Sequence, residues 1–391
     1  MTRRPGHEPG HGPAPGASSG SGGELPVGFD WASYLAELID LHGSLAALAA
    51  RLAGERSFAE DVGTVERGLR RLRGRVHHDG GVWGRRVLRA FGLPRRIDDR
   101  VRWMGQYHTR FTDLPGSVGR ELLTLWDRPP VSESPARVWI QLGWTGIALR
   151  GRQRDLAREH LQRAGSALAL RHAPARSGRA GNDRADDRPD DRDADRDAGP
   201  AARIEYELVS AYAAPLDADD QVAEHLEAAG RILESADARL SAADRACLHA
   251  RWIDQRAYRL NKPRDGRSPD PAAALALYQS IPIDGIPDDG APGDGAPGDG
   301  PPPFALCRRA NGLAWSHFLL GDRDTAIAHA RASVEHAGDG GSLRLRAMAL
   351  NLLSRLLSGD EGQAAGGRAL AIARRLEDED LRLRIERRGA R

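Results

Sequence analysis

The spacing of apolar residues restricts the fold of this chain more than any other feature. Trp31, Tyr34, Leu35 and Leu38 form an apolar stripe on one face of a helix, and similar stripes recur along the sequence to about residue 376. Glycines and prolines separate the stripes, and no segment alternates between apolar and polar residues with a period of two. The sequence therefore predicts an all-α protein.

Three stretches interrupt the helical pattern: residues 1–28, 171–203 and 281–303. The first is rich in Gly and Pro, the second mixes Arg with Asp, and the third repeats the pentapeptide Ala-Pro-Gly-Asp-Gly. Such compositions bury too little apolar surface to offset the entropy of ordering the chain, so we expect these stretches to be disordered. The remaining residues divide into a helical head at 29–130, a first repeat at 131–170, further repeats at 204–280 and C-terminal repeats at 304–391.

Composition and motifs exclude several classes of protein. The two cysteines, Cys247 and Cys307, are too few for a disulfide framework. No apolar run approaches the roughly 20 residues that span a bilayer, and the N-terminal residues lack the apolar core of a secretory signal, so we expect a cytoplasmic protein. The one lysine, Lys262, lies outside any phosphate-binding loop, and beyond residues 1–28 neither a His-Glu-x-x-His pair nor a Gly-x-Ser-x-Gly elbow occurs. Residues 7–11 and 16–20 match these two motifs, but they lie in the Gly- and Pro-rich stretch, where no helix is predicted to position their side chains. We therefore expect no cofactor, no metal and no catalytic residues.

A hairpin motif lies between Leu313 and Ala326. Leu313 and Ala314 place a large and a small residue together on a first helix, Gly321 begins a turn, and Ala326 is a small residue on the second helix. Two helices approach closely where a small side chain faces a bulky one, and glycine turns the chain without a Cβ penalty. The motif resembles a tetratricopeptide repeat.

Partial copies of this motif extend the resemblance. Gly359 and Ala364 repeat the spacing of five residues, 38 positions after Gly321, near the roughly 34-residue period of that family. Trp139, Leu142 and Ala157 resemble an earlier copy. The resemblance covers about residues 135 to 376 and implies a solenoid of tandem helical hairpins. A generic helical bundle with coincidental Gly and Ala spacing is the alternative.

The resemblance implies a concave groove that binds a peptide or a partner protein. In that family the groove side chains come chiefly from the first helix of each hairpin. This implies the partner-binding candidates Arg137, Gln141, Trp144, Arg308, Asn311 and Trp315. The alternative for the two tryptophans is a place in the core.

The N-terminal helices resemble a helix-turn-helix of bacterial regulators. The segment from Leu45 to Leu52 corresponds to the supporting helix, and the segment from Val62 to Leu72 corresponds to the recognition helix. In that family early polar residues of the recognition helix reach base edges and flanking arginines contact phosphates. The resemblance gives Thr64, Glu66 and Arg67 the first role, and Arg70, Arg71 and Arg73 the second.

Positive charge is concentrated in this head. Residues 55–110 contain 14 arginines and seven carboxylates, whereas the whole chain has a formal net charge of +2. Concentrated charge of this kind favours attraction to phosphate. However, arginine makes up 56 of the 57 basic residues of the chain, a bias that gives any amphipathic helix an Arg-rich face. A helical cap without a nucleic-acid role is therefore the alternative.

These patterns favour a non-enzymatic scaffold that binds a partner protein or peptide in a helical-repeat groove. The alternative is a DNA-binding transcriptional regulator, in which partner binding to the repeats controls the access of the head to DNA. An enzyme is the least favoured reading. The sequence specifies neither the partner nor a DNA site.

Overall fold

The structure is a computed structural model, and it describes ten ranges of the chain: 29–54, 60–75, 80–111, 113–171, 199–215, 218–235, 240–263, 268–282, 302–339 and 341–389. Within these ranges there are 17 α-helices and no strand, which confirms the predicted all-α class. Residues 1–28, 172–198 and 283–301, which hold most of the stretches predicted to be disordered, lie outside the described residues.

The head contains six helices. They are α1 (Trp31–His42), α2 (Leu45–Ala53), α3 (Val62–Arg73), α4 (Gly81–Phe91), α5 (Arg95–Gln106) and α6 (Gly116–Trp126), with a π-helical turn at Tyr107–Phe111 and a short 3-10 helix at Val131–Glu133. Side-chain caps fix the starts of the first three. The side-chain oxygens of Asp30, Ser44 and Asp61 accept hydrogen bonds from backbone N–H groups in the first turns of α1, α2 and α3, at N···O distances of 2.8, 3.0 and 2.9 Å.

Five helical hairpins and a final helix follow the head in tandem. The hairpins are α7 (Arg137–Arg150) with α8 (Arg154–Arg171), α9 (Pro200–Ala213) with α10 (Asp219–Ser235), α11 (Ala242–Leu260) with α12 (Pro271–Gln279), α13 (Pro303–Leu319) with α14 (Arg323–Asp339), and α15 (Leu343–Leu356) with α16 (Gly359–Arg375); the final helix is α17 (Glu379–Gly389). Each first helix packs on its own second helix and on the first helix of the next hairpin. The first helices therefore form one continuous inner layer.

Small residues allow the close approach of the helices. Ala326 on α14 is fully buried, and Gly321 turns the chain at a φ of 86°, both as the hairpin motif predicts. Gly312 lies against the ring of Tyr278, where an added Cβ would come within 2.0 Å of a ring carbon. Packing at these points requires the missing side chain, because interiors are filled to crystal-like density.

The last hairpin differs from its sequence interpretation by one position. Gly359, with a φ of 63°, is the first residue of α16 rather than part of the preceding turn. In consequence Ala364 is exposed, and Ala365 and Ala369 are the small residues that face α15. A shift of one residue rotates a helix position by about 100°, which is enough to exchange an exposed face for a buried one.

The core is continuous from the head into the repeats. Buried side chains from Phe29 to Leu248 form one cluster that joins the head to the first hairpins, and a second cluster joins α13 to α17. The head is therefore packed against the start of the repeat array, and Gly105 of α5 lies directly on the backbone of Trp139 in α7.

Candidate functional site: a charged cavity inside the helical array

The inner layer of first helices lines a partly open cavity of about 380 Å³. Side chains of α7, α9, α11, α13 and α15 line it, together with His108 and Thr109 of the π-helical turn. Helix α17 completes the wall, because it returns to pack against α7. The volume is within the range of ligand-binding pockets.

Residues 376–378 join the end of the repeats to their beginning. Arg150 donates hydrogen bonds to the carbonyl oxygens of Leu376 and Leu114, at 2.7 and 2.8 Å. Asp378 accepts a hydrogen bond from Arg344 at 2.7 Å and lies 3.6 Å from the Arg150 Nε. Burial alone would raise the pKa of Asp378, but the Arg344 guanidinium lowers it below the ordinary value, so this carboxylate stays ionised. The array is therefore closed on itself by a buried ion pair.

Glu377 reinforces this closure by capping α6. Its carboxylate accepts hydrogen bonds from the backbone N–H and the hydroxyl of Ser117, both at 2.7 Å, and the Gly116 N–H donates to the Leu376 carbonyl at 3.1 Å. These bonds satisfy N–H groups that have no partner within the helix. Glu377 adopts a φ of 52°, a left-handed conformation that costs a non-glycine residue about 1–2 kcal/mol. The helix cap and the closing contacts offset that strain.

The cavity wall is strongly cationic. Among the described residues it carries two carboxylates, Asp254 and Asp380, and ten cationic side chains: Arg150, Arg152, Arg154, Arg251, Arg259, Lys262, Arg308, Arg344, Arg355 and Arg384. Three further carboxylates, Glu205, Asp219 and Asp378, lie behind the wall and pair with cations on it. Together the five carboxylates are half as many as the ten cations. The low-dielectric walls of a partly enclosed site focus such a field into the cavity.

Two of these cations are held against aromatic rings. The Arg355 guanidinium carbon lies 4.7 Å from the centre of the Trp315 ring, and the Lys262 ammonium lies 5.2 Å from it. Lys262 also lies 5.0 Å from the ring centre of Tyr258. Cation–π contacts of this kind contribute about 0.5–2 kcal/mol each, depending on how far the cation is desolvated. They fix the positions of two positive charges on one side of the cavity.

Two uncharged polar atoms on α13 lack hydrogen-bond partners within the described part of the chain. The Asn311 Oδ1 and the Trp315 Nε1 are buried and form no hydrogen bond there. The two residues are four apart, so they share one face of α13, and both contribute to the cavity wall. A buried polar atom without a partner costs about 1–3 kcal/mol. This face of α13 therefore carries two polar atoms without hydrogen-bond partners, and it lies next to Lys262 and Arg355.

A buried ion network supports the wall from behind. Glu205 of α9 is completely buried and pairs with Arg251 of α11 and, at 3.1 Å, with Arg110 of the π-helical turn. Arg110 also donates a hydrogen bond to Asp244 at 2.9 Å. Burial by itself would raise the pKa of Glu205, but the two guanidinium groups lower it below its ordinary value. The network ties three elements together at the base of the cavity.

His108 is the titratable group of the π-helical turn that reaches the cavity. Burial, assisted by the charge of Arg150, lowers its pKa to about 4, so the imidazole is neutral near pH 7. Both ring nitrogens lack hydrogen-bond partners among the described residues. π-Helical turns often occur at functional sites, and this one places a neutral histidine beside the cationic wall.

The six partner-binding candidates of the sequence analysis separate into three that line the cavity and three that do not. Arg308, Asn311 and Trp315 of α13 line the cavity. The three candidates on α7 do not. Gln141 is fully buried and lies 2.8 Å from His160 of α8, Trp144 stacks on the same His160, and Arg137 lies 3.7 Å from Asp127. The side of α7 that faces the cavity instead carries Gly146, Leu149 and Arg150.

The DNA-binding candidates lie together on the outer face of α3. Arg67, Arg70, Arg71 and Arg73 are exposed, while Thr64 and Glu66 are half-buried. Arg67 donates a hydrogen bond to the Thr64 hydroxyl at 2.9 Å, and Arg70 pairs with Glu66 at 2.5 Å. The opposite face of α3 packs into the head and on α2. Residues 55–59, within the predicted turn between the two helices, lie outside the described residues.

Several cavity residues were not found by sequence reasoning, among them Lys262, Arg344, Asn351 and Arg355. A signal for two of them exists. Asn351 and Arg355 of α15 have the same spacing of four as Asn311 and Trp315 of α13, 40 positions later. Residues of one repeat thus indicate the equivalent wall positions of the next. The position of Arg344 in the wall, in contrast, follows from its ion pair with Asp378, 34 positions later.

The described residues contain no group of three or more His, Cys, Asp or Glu side chains arranged to hold a metal ion. None of the described helices is both long and apolar enough to cross a membrane. Comparison of the chain with models of known protein families, with curated proteins and with solved structures finds no match.

Proposed function

We propose that this protein is a non-enzymatic binding protein that receives a segment of a partner polypeptide in its central cavity. The observation that carries the proposal is the cavity itself, which the inner face of every hairpin helps to build. A repeat array presents one continuous surface to a ligand because each repeat contributes equivalent positions. The tetratricopeptide resemblance of the hairpins points to the same role.

The unsatisfied atoms of α13 support binding in preference to a purely structural role. Asn311 and Trp315 keep a buried acceptor and a buried donor without partners, and a core under selection for packing alone would tend to replace them with apolar groups. A polypeptide backbone carries N–H donors and C=O acceptors at regular intervals. It is thus a ligand that could satisfy both atoms of this face.

Site-directed photo-crosslinking tests this proposal. The two native cysteines are buried, so a cysteine introduced at a half-exposed cavity position by Tyr212→Cys can be labelled selectively with a thiol-reactive photo-crosslinker. The control is Arg331→Cys, at an exposed position of α14 that does not line this cavity. We expect a polypeptide from native lysate to be crosslinked through position 212 and not through position 331. Equal crosslinking from both positions, or none from position 212, would refute the proposal.

DNA binding by the head is the second candidate function, and the exposed arginines of α3 favour it. If α3 is the recognition helix of a helix-turn-helix, a ligand in the repeats could act on the head through their shared core. The test replaces Arg67, Arg70 and Arg71 with Ala and measures affinity for a DNA duplex against salt concentration. The matched control removes the same charge outside the head, through Arg331→Ala, Arg346→Ala and Arg368→Ala.

The result expected for DNA binding is specific to the head variant. Its slope of log affinity against log salt should fall by about 2 relative to wild type, since Arg70 and Arg71 have the phosphate role and each phosphate contact contributes about 0.9. The control variant should keep the wild-type slope. If both triple variants bind DNA equally, or if wild type shows no binding at low salt, the head is a structural cap.

A further inference from the structure

The chemistry of the cavity wall identifies the class of polypeptide that fits it. This inference rests on the proposed function and specifies its ligand. Among the described residues, ten cationic side chains face the cavity against two carboxylates on its wall and three behind it, so positive charge is in excess by five. The two carboxylates on the wall are both paired: Asp254 lies 2.6 Å from Arg308 and Asp380 lies 2.6 Å from Arg384. A basic segment would meet this excess of like charge, whereas an acidic one would meet opposite charge.

The cations are already held in place. Arg308 is fixed by Asp254, Arg344 is fixed by Asp378 at 2.7 Å, and Arg355 lies over the Trp315 ring. Side chains that are ordered before binding lose little entropy when a ligand arrives. Arginine also presents a fork of donors that matches a carboxylate in geometry. The wall is therefore preorganised for carboxylate groups rather than a diffuse positive surface.

Apolar side chains alternate with these cations. Leu149, Val209, Met348, Leu352 and Leu381 line the same cavity. An inorganic anion has no aliphatic groups to place against such residues and a nucleic acid has few, whereas a polypeptide with mixed side chains carries whole aliphatic side chains. The cations covering Trp315 and Tyr258 also occupy aromatic surface on which a base would otherwise stack. The wall thus favours an acidic peptide over a polyphosphate.

We propose that the occupant of the cavity is an acidic polypeptide segment, with two or more Asp or Glu side chains interspersed with apolar residues. Its carboxylates contact the cluster of Lys262, Arg355 and Trp315, and its apolar side chains contact the aliphatic part of the wall. The recognition lies in side-chain carboxylates along the segment and does not require a free chain terminus.

Selection from a peptide library tests the chemistry directly. The full chain is immobilised and presented with a random hexapeptide library whose peptides are acetylated and amidated, so that only side chains carry charge. We expect Asp and Glu to be enriched at least ~3-fold at two or more positions, together with Leu, Ile or Val. The variant Lys262→Gln with Arg355→Gln should lose that enrichment. The control Arg331→Gln, at the exposed position that does not line the cavity, should keep it.

Two further measurements keep the test decisive if the double variant folds poorly. The first uses Arg152→Gln with Arg154→Gln, because both residues are exposed and both line the cavity. This variant should weaken binding of a selected acidic peptide in a fluorescence anisotropy titration. The second compares that peptide with its Asn and Gln counterpart between 50 and 500 mM salt. The acidic peptide should bind more tightly, with an advantage that shrinks as salt rises.

The possible outcomes separate this inference from the function on which it rests. Enrichment of neutral or basic residues, or equal binding of the acidic peptide and its amide counterpart, would overturn the inference and leave peptide binding in place. Tighter binding of a dT10 oligonucleotide than of any selected peptide would also overturn it, in favour of nucleic acid. Failure to retain any peptide, together with a negative crosslinking result from position 212, would refute the proposed function itself.

Discussion

Replacing Glu205 with glutamine tests whether the buried ion network holds the repeats to the head. Glu205 is fully buried, and its two oxygens contact Arg251 and Arg110. The variant keeps the shape of the side chain but removes the negative charge, so both guanidinium groups lose their shared counter-charge. Arg110 retains Asp244 at 2.9 Å, whereas Arg251 pairs with no carboxylate other than Glu205 within the described part of the chain.

The expected cost follows from this geometry. Removing one partner of a buried ion pair costs about 3–5 kcal/mol, because the other charge stays buried. Unfolding entropy is about 2.1 cal/mol/K per residue, so roughly 290 described residues give about 0.6 kcal/mol/K, and the melting temperature should fall by about 5–8 °C. Differential scanning calorimetry at pH 7 measures this. The matched control is Glu361→Gln, since Glu361 and Arg331 form an exposed pair at 3.1 Å. The control should change stability by less than about 1 kcal/mol.

The pH dependence gives an independent reading of the same interaction. In the folded protein the pKa of Glu205 lies below its ordinary value of 4.5, because the Arg251 and Arg110 guanidinium groups outweigh the effect of burial. Its contribution to stability is therefore present above about pH 4.5 and is lost as the pH falls through the folded pKa. The difference between wild type and Glu205→Gln should be widest near pH 7 and should narrow in acid. A loss below about 1 kcal/mol at pH 7, or a difference that does not change with pH, would refute the reasoning.

Three further predictions concern packing, closure and pH. In thermal melts Gly312→Ala should destabilise the protein by at least ~2 kcal/mol, because the added Cβ would meet the Tyr278 ring at 2.0 Å. The control Gly367→Ala should be neutral or stabilising, because no atom lies within 4 Å of the Cβ that it adds. Asp378→Asn should break the closing ion pair and speed amide hydrogen exchange throughout α17; unchanged exchange would contradict the closure. Burial raises the pKa of Asp113 to about 6, so the wild-type protein loses stability as the pH rises through 6. Asp113→Asn should therefore raise the melting temperature more at pH 8 than at pH 5. An equal effect at both pH values would show that the carboxyl is not buried in its protonated form.

The features that the sequence predicted correctly are those that depend on neighbouring residues. The stripe at Trp31, Tyr34, Leu35 and Leu38 is buried as predicted, because helical periodicity determines which side chains share a face. Gly321 occupies a positive-φ turn for the same kind of reason, since only glycine is free of the Cβ penalty there. These features depend on a few neighbouring residues, which the sequence displays directly.

The candidate site was predicted in part. Arg308, Asn311 and Trp315 line the cavity, while Gln141 and Trp144 contact His160 of α8 and Arg137 lies near Asp127 of the head. The difference arises from helix rotation. Helix α7 is apolar on nearly all sides, and ten of its residues are buried. The periodicity of its apolar residues therefore does not identify which face is toward the cavity.

By itself the sequence determined the helices, their pairing into hairpins and the excess of arginine, because each of these depends on composition and short-range spacing. Only the tertiary structure decided that the array closes on itself. That closure depends on Arg150, Arg344 and Asp378, which are up to 228 positions apart and carry no local pattern. Closure converts an Arg-rich sequence into a partly enclosed cationic cavity, since charges spread along the chain act together only when packing brings them to one low-dielectric wall.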